Sequence, residues 1–355
     1  MDAINSALRE VAGCGTPEPP RVTRSRRKLT RQEYVDGILR GERTVLARAV
    51  TLIESLRPAD RELAEQIVED CLPAAAGDSL RVGITGVPGA GKSSLIETLG
   101  GYLTGTLQQK VAVLAIDPSS QLSGGSILGD KTRMTMLAAN EMAFIRPSPS
   151  RGIAGGVAQR TREAMLLCEA AGYKNILVET VGVGQSETAA HEMTDFFLLV
   201  TLAGAGDELQ GIKRGVMELA DMVAVNKADG DNIIAAERAR VEAQNALHFF
   251  PASPSGWTPR AMSCSARTGA GIAGLWTTVL EYAALTRSNG WFARARQQQQ
   301  RRWMHEMIEQ ALRQQFDAHP AVRSRMADLE SDVTEGRTTS FRAARMLLEA
   351  YAKNR

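Results

Sequence analysis

The stretch Gly86-Val87-Pro88-Gly89-Ala90-Gly91-Lys92-Ser93, followed by Ser94, fits the pattern G-x-x-x-x-G-K-[ST]. An apolar run, Arg81–Thr85, precedes it and a helical pattern follows from Lys92. That is the setting in which this motif cradles phosphate. A polyphosphate carries several negative charges. A glycine-rich turn can aim backbone N–H groups at its oxygens, and the positive end of the next helix adds to the attraction. Lys92 is placed to reach the β and γ phosphates, and the Ser93 hydroxyl to ligate Mg²⁺.

A second group speaks to the base. Asn226-Lys227-Ala228-Asp229 follows the apolar run Met222–Val225, so it belongs at the carboxyl end of a strand. A carboxylate there can accept two parallel hydrogen bonds, from the ring N–H and the amino group of guanine. Adenine lacks that pair, and a site built around it rejects adenine because the acceptor is left unpaired. Downstream of a phosphate loop, this tetrapeptide favours GTP or GDP over ATP. Ser265-Ala266, after the next apolar run, fits a loop whose backbone meets the guanine oxygen.

Three acids complete the chemical set. Asp117 ends the run Val111–Ile116, Asp130 lies in the glycine-rich stretch Gly124–Arg133, and Glu179 follows Ile176–Val178. Carboxylates at strand ends beside a phosphate loop are expected to ligate Mg²⁺ or hold its water. The catalytic candidates are therefore Lys92, Asp117, Asp130 and Glu179, with the Gly182 amide placed for the γ-phosphate. Val183 stands where many regulatory GTPases carry a water-orienting Gln; Gln185 lies two residues on. Unaided hydrolysis should then be slow, on the order of 10⁻⁴ to 10⁻² per second.

These residues need a scaffold, and the hydrophobic pattern supplies one. Seven apolar runs alternate with helical patterns: Arg81–Thr85, Val111–Ile116, Ala143–Ile145, Ile176–Val178, Phe196–Leu202, Met222–Val225 and Ala261–Cys264. They are continuous, not alternating, as in strands covered on both faces. The implied fold class is α/β: a phosphate-loop domain with a mostly parallel central sheet flanked by helices. N-terminal and C-terminal helical extensions complete it. Ligands bind beyond the carboxyl ends of such strands, where all the candidate residues fall.

The expected organisation is a disordered basic tail over 1–32 and an N-terminal helical segment over 33–78. The nucleotide-binding domain follows at 79–288, then a C-terminal helical region at 289–355. Helical spacing through Leu46, Ala49, Val50, Ile53 and Leu56 stops at Arg57-Pro58, and a second helix is expected over Asp60–Leu72. Two C-terminal apolar stripes, from Trp303 to Phe316 and from Phe341 to Tyr351, either cap the core or form a dimer arm. Gln297–Gln300 reads as a solvated helix face.

Composition sets the outer bounds. The 355 residues suggest about two domains. Lys+Arg 42 against Asp+Glu 40 leaves a net charge of +2, which argues against a protein that coats nucleic acid or an anionic membrane. Hydrophobic residues at 44% rule out disorder along the whole chain, and no apolar run approaches the ~20 residues of a membrane span. Cys14, Cys71, Cys168 and Cys264 lie far apart, which suits the cytoplasm better than a disulfide framework. There is no secretory apolar region near Met1; the Pro- and Arg-rich stretch 16–32 reads as tail, though a processed transit segment is the alternative.

Several long stretches resemble one family, the methylmalonyl-CoA mutase-associated GTPases of the MeaB/ArgK type. They are Gly83–Ser93, Val111–Ser119, Gly124–Met134, Phe144–Pro149, Met165–Gly172, Val178–Ser186, Gly204–Gly215 and Asn226–Asp229, and the likeness runs through about residues 33–310. The resemblance implies a homodimeric GTPase that binds an adenosylcobalamin-dependent acyl-CoA mutase. GTP binding and hydrolysis would gate cofactor delivery and protect or rescue the enzyme. It implies a Mg²⁺ site at Asp117, Asp130 and Glu179, and a partner-coupling switch whose polar residues are Asp207, Gln210 and Lys213.

Two other functions are open. Some relatives have been called transport-system kinases, but no acceptor site is evident here, and GTP is an uncommon kinase donor. A metal-insertion GTPase would need clustered soft or imidazole ligands. The chain has four His, all apart, and no paired Cys. Asp317-Ala318-His319-Pro320-Ala321-Val322 starts like a cobalamin-binding motif but has Val where Gly is required. Cobalamin is then the partner's ligand and not this chain's.

Overall fold

The computed structural model describes residues 27–75, 78–116, 134–148, 154–180, 186–204 and 214–353. Seven strands form one sheet: β1 (Leu80–Gly86), β2 (Val111–Ile116), β3 (Ala143–Ser148), β4 (Asn175–Thr180), β5 (Phe196–Leu202), β6 (Met222–Asn226) and β7 (Arg260–Ser263). Their order is β3-β2-β4-β1-β5-β6-β7, and every pairing is parallel. All seven apolar runs are therefore strands. The continuous patterning has a simple cause. Along β2, Val111 and Val113 pack into one core while Ala112, Leu114 and Ile116 pack into the other. Both faces are dry, so no alternation survives.

Three N-terminal helices, α1 (Arg31–Leu39), α2 (Arg43–Ile53) and α3 (Pro58–Cys71), cover one face. Helix α1 starts inside the stretch expected to be tail. Thr30 accepts from the Glu33 N–H and the Glu33 carboxylate accepts from the Thr30 N–H, a reciprocal cap that fixes the start. Gly41, at φ +73, breaks α1 from α2. Pro58 does more than stop a helix: it occupies the first turn of α3, where its missing N–H costs nothing.

The remaining helices are α4 (Lys92–Gly101), α5 (Thr135–Ala139), α6 (Ala154–Ala170), α7 (Ser186–His191), α8 (Arg214–Glu218), α9 (Ile233–Leu247), α10 (Ile272–Ser288), α11 (Trp291–Ala318), α12 (Pro320–Thr334) and α13 (Ser340–Lys353). Helices α4 and α10 pack on the face opposite the N-terminal helices through Leu95, Ile96, Leu99, Leu275, Trp276 and Val279. Among the described residues no helix is long and apolar enough to cross a membrane. Cys71, Cys168 and Cys264 are buried, and burial pushes the Cys264 thiol up to about 12.

One buried polar network ties β1, α6, the entry to β5 and α11 together. Arg81 in β1 donates from Nε and Nη2 to the two oxygens of Glu169 in α6, each at 2.8 Å. Ser79 also donates to Glu169. Arg296 in α11 holds both oxygens of Asp195, at 2.8 and 2.7 Å, and its Nη1 lies 3.8 Å from Glu169. The side chains of Glu169 and Asp195 are 2% and 3% exposed. Arg296 makes the network one of the anchors of α11, beside Arg162–Glu306 and Arg302–Glu192.

Helices α12 and α13 pack mainly on each other through Val322, Leu329, Ala343 and Leu347. The two ends of the α11 stripe are covered, Trp303 by the core and Phe316 by α12 and α13, while Met304, Met307, Ile308 and Leu312 between them are exposed, as is Phe341 of α13.

Candidate functional site

The turn after β1 is shaped by two contacts that exclude a side chain. Gly86 has φ +152, and a Cβ there would lie 2.0 Å from the Val200 carbonyl oxygen of β5. Gly91 caps α4 at φ +85, and its Cβ would lie 2.7 Å from Asn226 Nδ2. Glycine at both positions lets the loop close against the sheet. Pro88 and Gly89 stand exposed at the loop's tip while Ala90 is buried beneath it. Lys92 Nζ donates to the Gly86 carbonyl at 2.8 Å, which holds its charge over the loop. Ser94, exposed on the first turn of α4, faces the neighbouring cavity.

Sheet register brings the first acid to the loop. Glu179 pairs with Ile84 across β4 and β1, so it sits beside the start of the turn. The Ser93 hydroxyl donates to Glu179 Oε1 at 2.9 Å. Two hard oxygen donors are thus adjacent at the helix N-terminus, a set that fits Mg²⁺ and not a soft metal. Asp117, Asp130, Gly182, Asp207, Gln210 and Lys213 lie outside the described residues. A buried Thr180–Thr85 hydroxyl contact at 2.9 Å locks β4 to β1 just behind the loop.

The tetrapeptide after β6 joins two loops. Asn226, buried, donates from Nδ2 to the Ala90 carbonyl at 2.8 Å and accepts on Oδ1 from the Ala266 N–H at 3.0 Å. It clamps the phosphate turn to the loop after β7. Lys227 adopts φ +62, a left-handed conformation uncommon for a non-glycine residue. Asp229 accepts a 2.5 Å hydrogen bond from the Ser265 hydroxyl, and Ser265 in turn accepts from the Thr268 N–H at 3.1 Å. Its carboxylate is therefore oriented before any ligand arrives.

A cavity of about 530 Å³ opens between these parts, lined by Ser94, Thr98, Asn226, Asp229, Ala266 and Arg267 among others. Its walls are backbone and carboxylate on the base side and the first turns of α4 on the phosphate side. Sequence reasoning expected Ser265-Ala266 to act through its backbone. The structure adds that Ser265 acts through its hydroxyl, and that the Ala266 N–H is already held by Asn226. It also adds Thr98, whose hydroxyl donates to the Ala266 carbonyl at 2.6 Å, and Arg267, whose Nη1 lies 3.8 Å from Asp229. Neither residue type carried a sequence signal.

The chain matches the family described as methylmalonyl Co-A mutase-associated GTPase MeaB over residues 46–321. A protein of Caulobacter vibrioides described as a putative GTPase is 49% identical over 314 residues, 88% of this chain and 95% of that one. A mouse protein described as methylmalonic aciduria type A homolog, mitochondrial, is 43% identical over 333 residues, 90% of this chain and 80% of that one. A solved structure described as LAO/AO transport system kinase shares the fold at a TM-score of 0.72 and 37% identity, covering 90% of this chain and 97% of that one. A guanine-type tetrapeptide clamped to a phosphate turn agrees with the word GTPase in the descriptions of the family and of the Caulobacter protein. The chain is a phosphate-loop GTPase and belongs to the MeaB family of methylmalonyl-CoA mutase-associated GTPases.

Proposed function

We propose that this GTPase is a nucleotide-gated chaperone of an adenosylcobalamin-dependent acyl-CoA mutase, methylmalonyl-CoA mutase or a close relative. It gates delivery of the cofactor and protects or reactivates the enzyme, in the cytoplasm, without binding cobalamin itself. The observation that carries this reading is the match to a mutase-associated family across most of the chain.

In this reading Asp229 reads the guanine edge, and Asn226 keeps the base loop and the phosphate turn in one geometry. The turn from Gly86 to Gly91, apart from Pro88, offers backbone N–H groups to the phosphates, and Lys92 leaves its carbonyl partners to meet the β and γ oxygens. Ser93 and Glu179 hold Mg²⁺, joined by Asp117 and Asp130. Bound there, the ion would neutralise charge that develops on the phosphates. Gly182 contacts the γ-phosphate, and Asp207, Gln210 and Lys213 relay nucleotide state to the mutase.

Purified protein is expected to turn over GTP on the order of 10⁻⁴ to 10⁻² per second. Added mutase should raise that at least about tenfold. Lys92→Ala should lose nucleotide binding, and Lys213→Ala should keep basal turnover while losing the stimulation. Labelled GTP should yield inorganic phosphate alone. A phosphorylated acceptor would favour the kinase reading, and a mutase that neither binds nor stimulates would end the chaperone reading.

The exposed apolar stripe on α11 supports a homodimer through the C-terminal helices. Light scattering should then give a mass near twice 38.3 kDa. A strict monomer at tens of micromolar would refute it.

A further inference from the structure

At the opposite end of the sheet from the nucleotide site lies a second cavity, of about 220 Å³. It opens where the chain enters β5 and β6, between α7 and α11. Three of its features point to one kind of occupant.

The first is a carboxylate with a spare oxygen. Asp221 precedes β6, and its Oδ2 accepts from the Phe197 N–H at 2.9 Å. Among the described residues nothing donates to Oδ1, and no Lys or Arg pairs with Asp221. The other acids lining the cavity are paired: Glu192 with Arg302 at 2.5 Å, and Asp195 with Arg296. The second is an orphaned acceptor. Gln299 Nε2 donates to the Thr194 carbonyl at 2.8 Å, while Gln299 Oε1 is buried with no partner. The Thr194 oxygen can only accept, so the amide cannot flip, and Oε1 stays turned away from it. The glutamine run read as a solvated face thus sends one member inward. The third is an aromatic wall: Phe196, Tyr282 and Trp291 all line the space.

A lone carboxylate, an unpaired carbonyl and aromatic faces are what a cation bearing N–H groups requires. Arg302, the cation in the lining, is already held by Glu192, so an anion would face the unpartnered Asp221 and Gln299 oxygens, and an apolar ligand would strand them. We propose that this cavity is a binding site for a small organic cation with N–H donors, an alkylammonium or guanidinium group, held by Asp221 and Gln299. It uses none of the nucleotide residues.

The protonation of Asp221 agrees. Burial pushes its carboxyl up to about 7, since no cation offsets the lost water. The titratable neighbours do not supply one. Burial and Arg302 hold His191 below its usual range, hence neutral, and burial raises the Tyr282 hydroxyl, also neutral. Such a raised acid favours the fold while protonated and loses that contribution as pH climbs through about 7. Asp221→Asn should therefore melt above wild type at pH 8, with the gap closing toward pH 5.

The direct test uses the full chain with ¹⁵N-labelled tryptophan at pH 8 and constant ionic strength. n-Butylammonium should shift the Trp291 indole resonance saturably, with a dissociation constant of about 1 mM or tighter, the reach of a ligand with five heavy atoms. Asp221→Asn should weaken this about tenfold or more. Gln299→Leu, on a helix surface where folding is safer, should weaken it several-fold. Neutral n-butanol and tetramethylammonium, which has no N–H, should bind at least about tenfold more weakly. The proposal is overturned by the absence of saturation up to about 50 mM, by an unchanged affinity in Gln299→Leu or in folded Asp221→Asn, or by an equal response to either control.

Discussion

Asp229→Asn is expected to cost about 2–4 kcal/mol of GTP affinity, a factor of roughly 30 to 1,000, and to make the xanthine nucleotide the better ligand. The reason lies in Ser265. Its hydroxyl holds one oxygen of Asp229 at 2.5 Å, and this contact fixes the plane of the carboxylate. In the variant the amide oxygen keeps that contact, so the amide N–H₂ is left facing the base. A donor then confronts the two donors of guanine. Xanthine carries a carbonyl where guanine has its amino group, and the amide can donate to it. Competition binding with fluorescent GDP and XDP measures both effects. A variant that keeps GDP within about threefold of wild type, or still prefers it to XDP, would remove Asp229 from the base site.

The largest stability loss is expected at Glu169. Its removal strands Arg81, whose side chain is 6% exposed and gets both of its side-chain hydrogen bonds from Glu169. Breaking one partner of a buried ion pair costs about 3–5 kcal/mol, because the remaining charge stays desolvated. Glu169→Ala should lose about that much unfolding free energy in urea titration. Glu169→Gln, which keeps one acceptor, should lose less. The double change Arg81→Met with Glu169→Leu should recover much of the loss, since no unpaired buried charge is left and Arg296 keeps Asp195. If Glu169→Ala falls within about 1 kcal/mol of wild type, the network does not anchor α11 as described.

Much of this protein was legible in local sequence, for reasons that differ by element. The strands announced themselves because both faces of the sheet are covered, so Val, Ile, Leu and Ala run without interruption. The phosphate turn was legible because only glycine fits at Gly86 and Gly91. Helix α12 lies inside the region expected to be helical, but the two stripes named there pass it by. Its stripe, Val322, Met326, Leu329 and Val333, is short and flanked by charges, and it is buried by packing on α13. The break at Gly41 was missed because one glycine within a helical pattern does not reveal its φ.

The sequence by itself determined the family, the α/β class, and the residue types that meet phosphate and base. Those depend on short-range spacing: a strand, a turn and a helix that follow one another. Tertiary structure alone decided how the parts cooperate. Asp229 meets Ser265 across 36 residues, Asn226 meets Ala90 across 136, and Glu169 meets Arg81 across 88. It also decided that Gln299 turns into a cavity and not to solvent. A hydrogen bond needs its partners within about 3 Å, and only the folded sheet brings such distant residues that close.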